Sequence, residues 1–282
     1  LDVISRIDHL NEIVRDNKNY LKTSGFVPTM GALHEGHFSL IARSIRENDI
    51  SICSIFVNPL QFNNQVDLKK YPRDLEKDID QLKSLNCDYV FAPDSSEFYR
   101  EKPKIELDFG LLGSVLEGRF RPGHFNGVAI VVSRLLHLVE PDKAYFGLKD
   151  LQQYYIVRQM CLDLGIKSEI VPCEIIREDD GLAMSSRNRR LAEEDRKIAP
   201  LIYQSLKTIR SEIQKSARFS NALKTQIKLE LQRNNIKSEY LELVSLPDFG
   251  LNPMLKKGNT YAICIAVMLS DIRLIDNIRF QL

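Results

Sequence analysis

The stretch VPTMGALHEGHFSL, Val27 to Leu40, decides the fold. An apolar run, GFVPT (25–29), reads as a short strand. Met30, Gly31, Ala32 and Leu33 form a turn, and HFSLIARSIREN (37–48) reads as a helix with Leu40, Ile41 and Ile45 on one side. Strand, glycine turn and helix start make a nucleotide-binding layout, because ligands of open parallel sheets sit beyond the carboxyl ends of the strands. The helix start offers free N–H groups and a positive dipole end to phosphate. Gly31 and Gly36 let backbone approach a ligand closely. His34 and His37, three residues apart at that start, can face one way and donate to phosphate oxygens as charge develops. Two other readings stay open from these residues alone. H-x-x-H is also half a metal site, although Glu35 does not stand where H-E-x-x-H requires it. The histidines could also merely cap a helix.

Outward from this stretch the elements alternate. ISICSIFV (50–57) is a buried strand, RDLEKDIDQLKSLN (73–86) a helix, DYVFAP (88–93) a strand and FNGVAIVVSRLLHLVE (125–140) a largely buried helix. KAYFG (143–147) is a strand and DLQQYYIVRQMCLDLG (150–165) a helix. This order predicts an α/β fold with a parallel sheet and crossover helices. His137, inside an apolar helix, reads as a core histidine. After VPCEIIRE (171–178) the character changes. LAEEDRKIAPLIYQSLKTIRSEIQKS and SNALKTQIKLELQRN read as two charged amphipathic helices, followed by three extended segments. This is a smaller α+β domain, with the boundary near 176–182 at a flexible REDDG loop. Residues 1–176 and 177–282 are the expected domains.

Three further clusters carry chemistry. In YFGLKDLQQ (145–153), Lys149, Asp150 and Gln153 fall at the start of a helix, on one face by their spacing. The lysine can hold a phosphate as a point charge and the aspartate can accept from ribose hydroxyls; a charged helix cap is the plainer alternative. In LAMSSRN (182–188), two hydroxyls and an arginine suit a polyanion or an N-cap run. In FVNPLQF (56–62), Asn58 and Gln61 lie just past a buried strand, where amides suit hydroxyl and carboxylate groups; Asn-Pro is also ordinary turn chemistry.

The totals narrow the class. With 39 Lys+Arg against 38 Asp+Glu the net charge is +1, and RNRR (187–190) is the densest basic cluster, so a nucleic-acid binder is not expected. Cys53, Cys87, Cys161, Cys173 and Cys264 are scattered without C-x-x-C, which fits a reducing cytoplasm rather than a disulfide framework or zinc ribbon. Cys53 and Cys264 stand in apolar runs and read as buried. No apolar run approaches membrane-spanning length, and the N-terminus mixes acids into an amphipathic pattern unlike a signal peptide. The chain starts at Leu1, which fits numbering that begins inside a longer gene product.

Taken together, PTMGALHEGH, IFVNPLQF, YPRDLEKD, EGRFRPGHFNGV, PDKAYFGLKDLQQ, REDDGLAMSSRN and RLIDN closely resemble the pantothenate synthetase (pantoate–β-alanine ligase) family, nucleotidyltransferases with an H-x-G-H signature. The resemblance implies a Rossmann-like domain with a C-terminal lid domain, usually as a homodimer. It implies Mg²⁺-dependent formation of pantoyl adenylate from ATP and pantoate, then attack by β-alanine to give pantothenate and AMP. Carried over by motif, Met30, Gly31, Ala32, Leu33, His34, Glu35, Gly36 and His37 contact ATP, with His37 as proton donor. Gly147, Leu148, Lys149 and Asp150 also bind ATP, with Lys149 toward the phosphates and Asp150 toward the ribose. Ile176 meets the adenine through its backbone, and Met184, Ser185, Ser186 and Arg187 line the phosphates. Gln61 and Gln153 hold pantoate, Gln61 also serves β-alanine, and Asn58 lies close by. Two positions depart from the pattern. Leu148 replaces a commonly polar residue, and Lys77 precedes Asp78 where an acid is common, which leaves Asp78 a weaker candidate for Mg²⁺. The alternatives are another H-x-G-H enzyme, such as a cytidylyltransferase, and a catalytically silent ATP-binding module.

Overall fold

A computed structural model describes residues 1–62, 68–69 and 71–282. The chain divides into two compact units. The first comprises Leu1–Leu148 and Gln153–Glu174, the second Lys149–Gln152 and Ile175–Leu282. The second unit thus begins slightly before the expected boundary, and it also takes in Lys149–Gln152, two residues ahead of a helix and the first two within it. Within that unit, Asn277 Nδ2 donates to the Lys149 carbonyl (3.1 Å).

The first unit is built on a sheet of β1 (Asp2–Ile4), β2 (Ser24–Thr29), β3 (Ile50–Ile55), β4 (Tyr89–Phe91), β5 (Lys143–Gly147) and β6 (Glu169–Cys173). The order is β1-β4-β3-β2-β5-β6 and every pairing is parallel. Helices α1 (Ile7–Asn19), α2 (Glu35–Glu47), α3 (Leu75–Ser84), α4 (His124–Val139) and α5 (Leu151–Leu164) alternate with the strands. Strand order runs one way from β2 to β3 and β4 and the other way from β5 to β6, so the topological switch lies between β2 and β5. That is where an open parallel sheet binds its ligand.

Proline explains why these two strands part. Asp142 N donates to Ser24 O, so the even-numbered residues of β2 direct their backbone groups toward β5. Pro28 falls in that series and has no N–H to give. The β2–β5 register ends at Phe26 and Ala144, whereas β2 and β3 stay paired through Thr29 and Ile55.

The core of this unit gathers Val27, Leu33, Leu40, Ile41, Cys53, Leu82, Val90, Tyr145 and Val171, the apolar positions of strands and facing helices. Cys53 and Cys264 are buried as expected, and all five cysteines are free. His137 is not a core residue. It is exposed and its Nδ1 lies 2.7 Å from Ser133 O, because it falls on the narrow outward stripe of an otherwise buried helix.

At the carboxyl end of α2, Glu47 accepts from Arg43 Nε (2.7 Å), Tyr145 Oη (3.1 Å) and Lys143 Nζ (3.4 Å). These donors, Arg43 foremost, hold its carboxyl down at about 2, below the ordinary 4.5. A depressed carboxyl stabilises above its unfolded value and loses that contribution as pH falls toward the folded one. Glu47→Gln is therefore expected to flatten the fall of Tm between pH 4.5 and about 2, seen by calorimetry. A slope in that window equal to wild type would contradict the pairing.

The second unit packs α6 (Glu193–Ile198), α7 (Leu201–Ser216) and α8 (Asn221–Arg233) on an antiparallel sheet in the order β7 (Ile236–Ser245), β8 (Thr260–Leu269), β9 (Ile272–Gln281). The single helix expected over 191–216 is broken between Ile198 and Leu201. Pro200 lacks the N–H and its ring clashes with a preceding carbonyl, so a new helix starts behind it. Ile202, Leu206, Ile209 and Ile213 of α7 meet Ile263, Ile265 and Val267 of β8 in the core. Among the described residues, no helix is long and apolar enough to cross a membrane.

Candidate active site

The turn after β2 is tightly organised. Thr29 Oγ1 donates to Ser54 O (2.7 Å) and accepts from Gly31 N (3.2 Å). Gly31 and Ala32 both adopt left-handed backbone, φ 78° and 52°. For alanine this is uncommon, and it persists only where the surroundings fix it. Asp78 on α3 does so: Ala32 N donates to Oδ2 (2.8 Å) and Leu33 N to Oδ1 (2.9 Å). A Cβ on Gly31 would meet Asp78 Oδ2 at 2.8 Å, so glycine is required there.

Asp78 therefore does not fit the expected part of Mg²⁺ ligand. Its side chain is buried, and each carboxylate oxygen receives a backbone N–H of the turn. Among the described residues, no three His, Cys, Asp or Glu side chains gather as a metal site. Asp78→Asn puts an NH₂ against one of two donors, a conflict costing about 1–3 kcal/mol. The expected result is a lower Tm by calorimetry. An unchanged Tm would show that the carboxylate does not fix this turn.

His34 is the N-cap of α2, and its Nδ1 accepts from Gly36 N (3.1 Å). Because Nδ1 accepts, the ring proton of the neutral imidazole sits on Nε2. The His37 ring lies 4.1 Å from that of His34, centroid to centroid, tilted by 44°. The sequence suggested backbone N–H groups here as phosphate donors. The N–H groups of Ala32 and Leu33 go to Asp78 and that of Gly36 goes to His34, which leaves the two imidazoles side by side at the helix start.

Past β3, Asn58 caps a 3₁₀ turn over Pro59–Gln61. Asn58 is fully buried and its amide serves the fold: Nδ2 donates to Gly127 O (3.0 Å) and Gln61 Oε1 (3.3 Å), while Oδ1 accepts from Leu60 N and Tyr99 Oη. Burial pushes the Tyr99 phenol upward, so it remains a donor. Gln61 Nε2 lies 2.7 Å from Met30 Sδ, which joins the turns after β2 and β3. Gln153, half-buried, stands on the first turn of α5. Leu148, Lys149 and Asp150 form a separate 3₁₀ turn before that helix, so α-helical spacing does not put Lys149 on its face.

In the second unit, the stretch expected to be a flexible loop is a tight hairpin. Arg177 bridges Ala183, Met184 N donates to Ile176 O (3.0 Å), and Glu178 N donates to Leu182 O (2.9 Å). Arg196 ties the turn down by pairing with Glu178 and Asp180. Ser185 Oγ caps the following turn by accepting from Arg187 N (3.3 Å), and Ser186 is buried. Arg177 also donates Nη1 to Asp276 Oδ2 (2.7 Å) and Nη2 to Oδ1 (2.9 Å), with its guanidinium 3.6 Å over the Tyr203 ring. Burial raises the Asp276 carboxyl, opposed by Arg177. Asn277 holds the Lys149 carbonyl, so one dipeptide of β9 supports both the hairpin and the Lys149 turn. Sequence reading gave Asp276 and Asn277 no role. Their only signal was the RLIDN motif itself.

A parallel sheet with a switch point, an organised turn behind its central strand and two imidazoles at the following helix start define an α/β nucleotide-dependent enzyme scaffold. The chain belongs to the pantoate–β-alanine ligase family, whose model matches residues 2–279. It is 45% identical to the pantothenate synthetase of Cytophaga hutchinsonii over 276 residues, 98% of each chain. It is 44% identical to that of Caldicellulosiruptor saccharolyticus over 277 residues, again 98% of each. Among solved structures, pantothenate synthetase from Thermus thermophilus superposes with a TM-score of 0.89 at 38% identity, covering 99% of both chains. Pantoate-beta-alanine ligase from Francisella tularensis, complexed with beta-gamma ATP and beta-alanine, superposes with a TM-score of 0.83 at 35% identity, covering 99% of this chain and 97% of that one.

Proposed function

We propose that this protein condenses pantoate with β-alanine in two ATP-dependent steps at the site built around His34 and His37. A pantoate carboxylate oxygen attacks the α-phosphorus of ATP, the bond to the bridging oxygen breaks, and pyrophosphate leaves. The β-alanine nitrogen then attacks the acyl carbon, loses a proton, and AMP leaves. The observation that carries this reading is the His34–His37 pair, with His34 Nδ1 engaged by Gly36 N so that the ring proton is left to Nε2.

The physical logic is consistent. A carboxylate is a poor electrophile, and adenylation gives it a leaving group. Negative charge grows on the α-phosphate and the departing pyrophosphate, and donors already fixed in position stabilise it without reorganising. His34 and His37 supply two such donors, Lys149 a point charge, and Met184, Ser185, Ser186 and Arg187 the remaining phosphate contacts. Met30–His37 and Gly147–Asp150 receive the nucleotide, Asp150 at the ribose, with the Ile176 backbone at the adenine. Gln61 and Gln153 hold the pantoate hydroxyl and carboxylate groups. Mg²⁺ enters as MgATP, held by phosphates and water, in keeping with its preference for retained waters. Holding the acyl adenylate until the amine arrives makes the second step effectively intramolecular. Operation in the cytoplasm as a homodimer completes the proposal; the free, buried state of all five cysteines supports a reducing compartment.

The test is release of pyrophosphate and AMP from MgATP and pantoate, with and without β-alanine. Sustained AMP and pantothenate formation only when β-alanine is present is expected. Pyrophosphate release without AMP from a phosphorylated alcohol and CTP would instead make this a cytidylyltransferase. ATP binding without any turnover would make it a silent nucleotide-binding module.

A further inference from the structure

The motif EGRFRPGHFNGV finds no part in the reaction as derived above, yet it opens α4 directly against the turn that carries Gln61. Contact there is made by backbone. A Cβ on Gly127 would stand 2.4 Å from Leu60 O and 2.8 Å from Gln61 Cα. The turn is fastened at both ends: at its start Asn58 Nδ2 reaches Gly127 O, and at its end Gln61 O lies 2.9 Å from His124 Nδ1. His124 is itself buried, 6% exposed. Its other nitrogen, Nε2, lies 3.1 Å from Arg121 Nη1, and Arg121 lies 3.7 Å from Glu117 Oε2.

These two contacts fix the state of the ring. A carbonyl oxygen can only accept, so Nδ1 must carry the proton. A guanidinium can only donate, so Nε2 must not. Both partners demand the same neutral form, the Nδ1–H tautomer, which is the minor one of free imidazole.

We propose that His124 is a positioning residue for pantoate: as the Nδ1–H tautomer selected by Arg121, it holds the Gln61 carbonyl, and thereby the Gln61 amide, in place. The proposal rests on the reading that Gln61 binds pantoate. His124 acts through Gln61 and has no part in the chemistry itself.

The experiment pairs two amides that mimic opposite nitrogens of the ring. His124→Asn keeps an N–H donor near Nδ1. His124→Gln moves the amide out to the place of Nε2 and leaves Gln61 O without its donor. KM for pantoate and for ATP, together with Tm, are measured for both and for Gln61→Ala. ¹⁵N NMR of histidine-labelled wild type reads the tautomer of His124, assigned by its absence from the variants. We expect His124→Gln to raise KM for pantoate about tenfold, the scale of one lost hydrogen bond, with KM for ATP nearly unchanged. His124→Asn is expected to restore most of that loss, and the spectrum is expected to show a protonated Nδ1 and a bare Nε2. A protonated Nε2 overturns the proposal, as does an equal rise in both KM values. If Gln61→Ala raises KM for pantoate and His124→Gln does not, the clamp alone is wrong. If Gln61→Ala leaves KM for pantoate unchanged, the substrate assignment of Gln61 is wrong, and the proposal falls with it.

Discussion

His37→Ala is expected to slow pyrophosphate release by about a hundredfold or more while leaving the protein folded. Removing one preorganised donor from a developing oxyanion has that scale, equivalent to about 2.7 kcal/mol of transition-state stabilisation. The fold should tolerate the change. The helix start is set by His34, whose Nδ1 takes Gly36 N and whose carbonyl takes His37 N (2.7 Å), and the second of these is a backbone bond that alanine retains. Single-turnover pyrophosphate release with circular dichroism checks both halves. Near-normal release from a folded variant would remove His37 from the mechanism and leave the imidazole pair a structural cap.

Asp276→Ala is expected to be the most destabilising single change in the second unit. The carboxylate receives both terminal nitrogens of Arg177 and the backbone N–H of Asn277 (2.7 Å). The arginine side chain is only 17% exposed and lies over Tyr203, so it has no ready way back to water. Breaking a buried pair from one side costs about 3–5 kcal/mol, because the remaining charge is left uncompensated. Asp276→Asn keeps the shape and one acceptor, so its loss should be smaller. Chemical denaturation gives the sizes. In a variant that survives, KM for ATP should rise through Asn277 and the Lys149 carbonyl. A Tm equal to wild type would mean that Arg177 finds other partners and that the node carries no stability.

The contrast between these two residues shows what a sequence can disclose. Local patterns were legible. Alternating apolar runs and helical periods mark β2 to β5 and α2 to α5 within a few residues, because the periods of strand and helix are written into neighbouring positions, while α1 and β6 are not assigned from the sequence. The His34–His37 spacing marked the helix start for the same reason. What failed depended on partners far along the chain. Asp78 reads in the sequence as a candidate metal ligand, whereas its oxygens receive backbone N–H groups 45 and 46 residues away. Asn277 reaches Lys149 across 128 residues. Pro200 is a local signal, masked in the sequence by the strong helical period on either side of it. His137 needed the direction of a single outward stripe, which an apolar helix does not announce.

Pro28 bears on how the enzyme responds to its surroundings. The β2–β5 pairing stops where Pro28 has no N–H to give. A missing N–H has no proton to gain or lose and no charge for salt to screen. The place where these strands part should therefore be indifferent to pH and ionic strength across the range in which the protein stays folded. Whatever tunes turnover under changing conditions must act on the groups that line the crevice, since the crevice itself is written in covalent chemistry.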